Sequence, residues 1–238
     1  FNVTDAAPAL RDYAEQGYNL VIAHGTQYGT TLFELAPDYP DTSFAWGTAA
    51  DAGVDAGLTN VFAFDPRAEQ GGYVNGVIAA MMSEAHNIGI VGPIDAGDAK
   101  LYIDGFVAGA KSVDPDATLG LVFTGSFGDT ALAAEAANTL INAGADVLTG
   151  TAQQVSGAIG VAAEKGIPWF GTQGDQSPLA PDLVMATNLY DWTGVIKQIM
   201  ELNAAGTMGG IVFQLTLENG ATTMVYNDAL PAEIVEAA

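Results

Sequence analysis

The sequence predicts an α/β protein with parallel sheets, arranged in two lobes. The first observation is a repeated unit in which an apolar strand runs into a small polar loop and then a helix. Its clearest copies are YNLVIAHGTQYG (18–29), HNIGIVGPIDAG (86–97), ATLGLVFTGSFGD (117–129), ADVLTGTAQQ (145–154) and IPWFGTQGDQ (167–176). Strand–helix alternation with crossovers of this length makes the sheets parallel, with helices on both faces. Second, the strand cores NLVIA, IGIVG and LGLVF are near-continuous apolar runs, as expected for strands buried on both sides. Third, the strands end in Gly, Thr, Ser, Gln or Asp, and ligands of open parallel α/β sheets sit at the carboxyl ends of the strands. Polar strand-end loops therefore predict a small-molecule site.

Periodicity and breaker residues assign the elements in order. Helix 5–16 opens behind Asp5, a suitable N-cap, and strand 18–24 follows. Helix 28–36 leads to strand 43–46. The small, acidic stretch 48–59 is a surface loop, and strand 60–64 runs up to Pro66. Helix 69–85, strand 87–91, helix 98–113 and strand 118–124 come next. Gly72, Gly76 and Gly105 lie in helices and suit close packing rather than phosphate binding; no GxGxxG or GxxxxGK[ST] stands in the right context. Helix 129–143, with Asp129 as N-cap, precedes strand 146–149, helix 154–165 and strand 167–171. A loop holding Pro178 and Pro181 separates these from strand 183–187 and helix 191–205. FQLTLENGATTMVYN predicts two β runs within 211–226, paired around Asn219-Gly220 as a type I′ hairpin. A short helix, 230–237, closes the order.

Composition narrows the functions. The chain has 238 residues and is 49% hydrophobic, enough for one large domain or two lobes. Against 28 Asp and Glu stand 6 Lys and Arg, a formal net charge of −22. The cations, Arg11, Arg67, Lys100, Lys111, Lys165 and Lys197, form no cluster along the sequence, which argues against nucleic acid and against anionic membrane surfaces. The acidity reads as a solubilising surface, and it also fits a high-salt habitat in which screening weakens self-repulsion. Without cysteine there is no disulfide, thiolate metal site or Cys nucleophile. His24 and His86 have no metal-ligand spacing and read as structural, and no Ser-His-Asp pattern stands out. No enzyme activity, metal or cofactor is expected.

The segments in their order resemble the basic membrane protein family of bacterial substrate-binding lipoproteins, which includes purine-nucleoside receptors. The matching pieces are DYAEQGYNLVIAHGTQYG with LAPDYPDTSFAWGTA; EQGGYVNGVIAAMM with IGIVGPIDAGDAKLYIDGFVAGAKSVDPDATL; GSFGDTALAAEAANTLINAGADVL; and GAIGVAAEKGIPWFGTQGDQ. The resemblance implies a type I periplasmic-binding-protein fold, with two Rossmann-like lobes closing on a ligand. Lobe one would hold 1–64 and 188–208, and lobe two 65–187 and 209–238, with hinge crossovers near 64–68, 187–190 and 208–212. It further implies an extracytoplasmic, monomeric receptor of an ABC importer that hands a nucleoside-like ligand to a permease. Such a receptor is held at the periplasm or cell surface by a lipid anchor, and the anchor, first strand and first helix of the family pattern are expected to be missing here. Alternatives are the same fold respecialised for a flavin, sugar or amide, a nucleoside-cleaving enzyme, and the sensor core of a regulator.

The resemblance also indicates ligand residues. Gln27 and Tyr28 lie in a lobe-one ligand loop, where Tyr28 stacks on a base or packs over the next helix. Phe127 projects from a strand-end loop as a second stacking ring or a core aromatic. Gln153 and Gln154 replace a Gly-rich loop, and glutamine can both donate to and accept from a neutral heterocycle. In GTQGDQ, Gln173 stands where nucleoside-binding members carry an Asp that grips the ribose hydroxyls, and Asp175 is either a second contact or a cap. Asn188, Asp191 and Trp192 begin the return to lobe one; Trp192 would wall the pocket, and Asp191 would bind ligand or cap the helix. Asp95 is a weaker cleft candidate.

Overall fold

The computed structural model describes residues 5–238. In chain order the elements are α1 (Ala6–Glu15), β1 (Leu20–His24), α2 (Gly29–Leu35), β2 (Ser43–Gly47), β3 (Val61–Pro66), α3 (Ala68–Met82) and β4 (Asn87–Gly92). Then follow α4 (Gly97–Val113), β5 (Thr118–Phe123), α5 (Thr130–Asn142), β6 (Val147–Gly150), α6 (Val155–Lys165) and β7 (Trp169–Gln173). The last are β8 (Val184–Tyr190), α7 (Thr193–Ala204), β9 (Ile211–Leu215), β10 (Thr222–Tyr226) and α8 (Ala232–Ala237). The chain divides into two compact units, one of residues 5–66 with Asp191–Leu215, the other of Arg67–Tyr190 with 216–238.

The first unit holds a four-stranded sheet in the order β1-β2-β3-β9, parallel throughout. Every residue of β3 is buried, because it has a strand on each side and side chains packed on both faces. Leu10 and Ala14 of α1, Leu32 and Leu35 of α2, Val21, Phe44 and Val61 make one apolar cluster. Asn60 ties the loop after α2 to the sheet: its Nδ2 donates to the carbonyls of Ala36, Tyr39 and Thr42 at 2.9–3.0 Å.

The second unit holds a six-stranded sheet in the order β10-β8-β7-β6-β4-β5, parallel except for β10, which runs antiparallel to β8. Helices α5 and α6 bury Ala133, Ala137, Leu140, Ala158 and Ile159 against Leu148 and Trp169. Helices α3 and α4 lie backbone to backbone. A Cβ on Gly72 would overlap the carbonyl of Tyr102 and one on Gly76 that of Phe106; reciprocally, Gly105 and Gly109 face the carbonyls of Glu69 and Tyr73. The glycines thus serve the packing expected of them. Beneath them runs a buried polar chain. Asn75 Nδ2 donates to Tyr102 Oη and to the Gly171 carbonyl, both at 2.9 Å, and the Thr149 hydroxyl, 2.8 Å from Tyr102 Oη, donates to the Phe170 carbonyl. Burial pushes the Tyr102 phenol up to about 12.

Four expectations are corrected. The β runs around Asn219-Gly220 do not pair: β9 joins β3 in one unit and β10 joins β8 in the other. The chain does turn here, but not as type I′: Gly220 has φ 73° while Asn219 is not left-handed, the Gly220 amide bonds the Leu217 carbonyl, and Asn219 Oδ1 accepts from the amides of Thr216 and Ala221; longer-range partners outcompete the local pairing. For the same reason the last passage between units falls after Leu215 rather than near 208–212. LGLVF and NLVIA are not buried on both faces. They are edge strands, and Leu121 is 42% exposed, Phe123 39% and Ile22 43%. Asp5 precedes α1 in helical backbone geometry, with no side-chain cap bond. Asp129 does cap α5, accepting from the amides of Ala131 and Leu132.

Candidate ligand-binding site

Parallel strands bring their carboxyl ends to one edge of a sheet, so loops far apart in sequence become neighbours there. In the first unit this edge carries three rings. His24 ends β1, Phe64 lies near the end of β3, and Trp192 precedes α7. His24 lies roughly parallel to Phe64, ring centroids 5.7 Å apart at 30°; Trp192 meets His24 edge-on at 4.9 Å and Phe64 at 5.6 Å. Gly47, at the end of β2, makes the room: a Cβ there would overlap His24 Nδ1 and the Phe64 ring. Desolvation by these neighbours holds the His24 pKa below its usual 6.5, so the imidazole is neutral at neutral pH. Phe64 is fully buried, so the rings that reach the edge are His24 and the half-buried Trp192, packed over it.

The loop after β1 is held from the side. Trp46 Nε1 donates to the Gly25 carbonyl at 2.9 Å, and the Thr26 and Thr48 hydroxyls lie 3.1 Å apart. Gln27 is half-buried in this turn. Tyr28 is half-buried too and packs against the apolar cluster beneath. The Asp191 carboxylate accepts from the Thr193 amide at 2.8 Å at the start of α7, and the Thr193 side chain first and this amide second hold its pKa below the usual range.

In the second unit the carboxyl edge carries one polar pair. Asp98, in the first turn of α4, is 7% exposed, and Gln173, the last residue of β7, donates from Nε2 to Asp98 Oδ2 at 3.3 Å. Burial raises the Asp98 pKa; the Gln173 bond and backbone amides oppose that rise. Strands β4 and β7 flank β6 in the sheet, so the bond links the loops on either side of β6. Gln173 has φ +77°, a conformation that non-glycine residues rarely adopt and that costs backbone energy.

The remaining sequence candidates fall differently. Gln154 is fully buried; the Thr124 hydroxyl donates to its Oε1 at 2.5 Å and its backbone amide donates to the Phe127 carbonyl. It thus latches the β5 loop to the β6 loop, and its own Nε2 is buried without a partner. Gln153 is exposed and Phe127 half-buried. Asp175 accepts from the Ser177 amide and hydroxyl as a turn cap, beside a cavity of about 320 Å³ that it lines with Ser177, Thr187, Tyr226 and Asp228. Asn188 is fully buried against Gly71 of α3, its Nδ2 donating to the Thr223 carbonyl. Asp95 is exposed and pairs with Lys100 at 3.5 Å. Sequence reasoning did not single out Phe64 or Asp98, which the fold brings to these edges beside His24 and Gln173; the available signal was their place at or shortly after a strand's carboxyl end. Among the described residues no group of three or more His, Asp or Glu could hold a metal.

The comparisons with known proteins agree with this architecture. A purine-binding protein of Brucella abortus is 30% identical over 188 residues, 79% of this chain and 52% of its own length. The transcriptional activator protein med of Bacillus subtilis is 27% identical over 92% of this chain and 67% of its own length. The chain thus spans between half and two thirds of these relatives. A solved solute-binding protein of an ABC transporter system from Conexibacter woesei superposes with a TM-score of 0.71 at 25% identity, covering 99% of this chain and 80% of that one. It shares the α/β, two-lobed fold of type I periplasmic-binding-protein-like receptors. The family model described as ABC transporter substrate-binding protein PnrA-like matches residues 3–238, and the chain belongs to this Bmp family.

Proposed function

We propose that this chain is the ligand-binding part of an extracytoplasmic receptor of an ABC importer, and that its ligand is a neutral planar molecule, a nucleoside or nucleobase. The observation that carries the reading is the pair of His24 and Trp192 rings at a strand-end edge, packed over the buried Phe64. Flat aromatic faces reward stacking by a planar heterocycle. The net charge of −22 opposes anionic ligands and so disfavours nucleotides. The purine-binding name of the Brucella relative supports the same class. Phe127, Gln27 and Gln173 are proposed as further contacts. Asp175, Asp191 and the buried Gln154 and Asn188 are proposed as structural, given the bonds they make. Monomeric action, a lipid anchor, delivery to a permease and closure of the two units on the ligand belong to the same proposal. Among the described residues no helix is long and apolar enough to cross a membrane.

Thermal-shift measurement with a panel of nucleosides, bases, flavins and sugars tests the ligand. A ligand at a hundred times its Kd stabilises the native state by about 2.7 kcal/mol, several degrees in Tm. A shift with nucleosides or bases is the expected result, and silence from all of them overturns the reading. A second reading, in which the same receptor takes another neutral solute, is favoured by Gln173 standing in place of the family's diol-gripping carboxylate. A response to a sugar or flavin alone would select it.

A further inference from the structure

We infer that Asp98 is a positioning residue that orients the side-chain amide of Gln173 so that its carbonyl oxygen is presented to a ligand hydroxyl. The inference rests on the nucleoside reading above and adds how this chain, with no carboxylate at position 173, recognises the sugar.

The argument starts from donors and acceptors. A glutamine amide has two N–H donors and one carbonyl acceptor, and a free side chain can present either end. An ionised carboxylate only accepts. Asp98 is nine-tenths buried in the first turn of α4, and Gln173 approaches it at 3.3 Å. The amide must therefore turn its nitrogen to Asp98, which leaves the carbonyl oxygen and the second hydrogen pointing away. Among the described residues neither of these two groups bonds to protein, and Gln173 is only half-buried. Burial raises the Asp98 pKa, and the Gln173 bond and the backbone amides at the start of α4 oppose that rise by favouring the accepting form.

The backbone supports the same reading. Gln173 occupies the left-handed region at φ +77°, a position where glycine would be unstrained. Strain of this kind persists where surrounding structure holds it, and it clusters at ligand clamps. Gln173 is also the last residue of a central strand, at the edge where ligands of this fold class sit. A neutral acceptor whose orientation is set by the Asp98 bond takes the place of a directly exposed carboxylate.

The test is a ratio of affinities measured by calorimetry on the full chain. Adenosine, 2′,3′-dideoxyadenosine and adenine are titrated into the wild type, D98N, Q173A and the double variant D98N/Q173E. The wild type is expected to prefer adenosine over the dideoxy analogue about tenfold or more, the range for losing one buried hydrogen-bond pairing. D98N and Q173A should bring that ratio close to one while dideoxyadenosine affinity stays within about twofold. D98N/Q173E exchanges donor and acceptor, turns an oxygen outward again and should restore the preference. Equal loss for both ligands in D98N, or a wild-type ratio kept in D98N and Q173A, would show the pair to be structural only. Binding of adenine and adenosine without diol preference in the wild type overturns the inference and leaves the receptor reading standing. Binding of none of the three overturns this inference, and silence from the remaining nucleosides and bases of the thermal-shift panel as well overturns the nucleoside reading. Unfolding curves identify any D98N that fails to fold, and Q173A then carries the same prediction.

Discussion

At the scale of single residues, position relative to a strand end decides more than residue type. Trp192 is half-buried, so truncating it removes ring contact without emptying a core. W192A should weaken binding of a stacking ligand about tenfold or more, at roughly 1–3 kcal/mol per stacked base, and shift the ligand-free Tm little. Calorimetry beside thermal unfolding checks both halves of that statement. Asp114 offers a pH test away from the site. The His86 imidazole 2.6 Å away is the main cause that holds its carboxyl below the usual range. A carboxyl depressed in the folded state adds stability above its unfolded pKa and loses it as pH falls through the folded value. D114N should therefore flatten the fall of Tm between about pH 5 and 3 without changing the fold at neutral pH. Residue roles were the least legible part of the sequence. Asp98 looks like any first-turn acid on α4, and only the fold brings it to Gln173, 75 positions away.

At the scale of elements, α3 and α4 make a close contact in which no side chain separates the backbones at Gly72, Gly76, Gly105 and Gly109. G76A forces a methyl group onto the Phe106 carbonyl. The rigid backbone on both sides leaves little room to yield, so the cost should be about 2–3 kcal/mol, or a Tm lower by roughly 5–10 °C. An unchanged Tm would mean that the helices can slide apart freely. Element identity was legible because apolar runs of strand length and Ala-rich helical stretches alternate strictly. Pairing was less so. Asn219-Gly220 marks a reversal of the chain but not the type I′ turn expected of it, and β9 and β10 take partners from different sheets. Edge position was also hidden, since β5 is as apolar a run as the buried β4 and differs in having one neighbour instead of two.

At the scale of the whole molecule, surplus negative charge is the dominant physical fact. With 28 acidic residues against 6 basic ones, repulsion is spread over the entire surface rather than offset locally. Among the described residues only a few ion pairs form, such as Lys100 with Asp104 and Arg67 with Glu69. Salt should therefore stabilise the fold: at 1 M the Debye length is about 3 Å, and long-range repulsion is nearly gone. Scanning calorimetry in low salt and in 1 M sodium chloride should show Tm rising with salt, and a fall would point to ion pairs as the larger contribution. Two-lobed organisation was legible from the collinear segments, whereas the exact passages between units depended on where β9 pairs.

The placement of β9 also has a consequence for biosynthesis. The strand β3 is apolar and fully buried in the finished sheet, and one of its two neighbours is β9. A ribosome makes β3 early and β9 only after nearly all of the second unit. Throughout that interval β3 presents an unpaired hydrophobic margin, the kind of surface that nucleates aggregation. Because β9 and β10 both add at sheet margins, neither sheet has to be reopened to receive its last strand. The hazard for this chain is therefore one of timing, and it falls on the nascent polypeptide before release rather than on the folded protein.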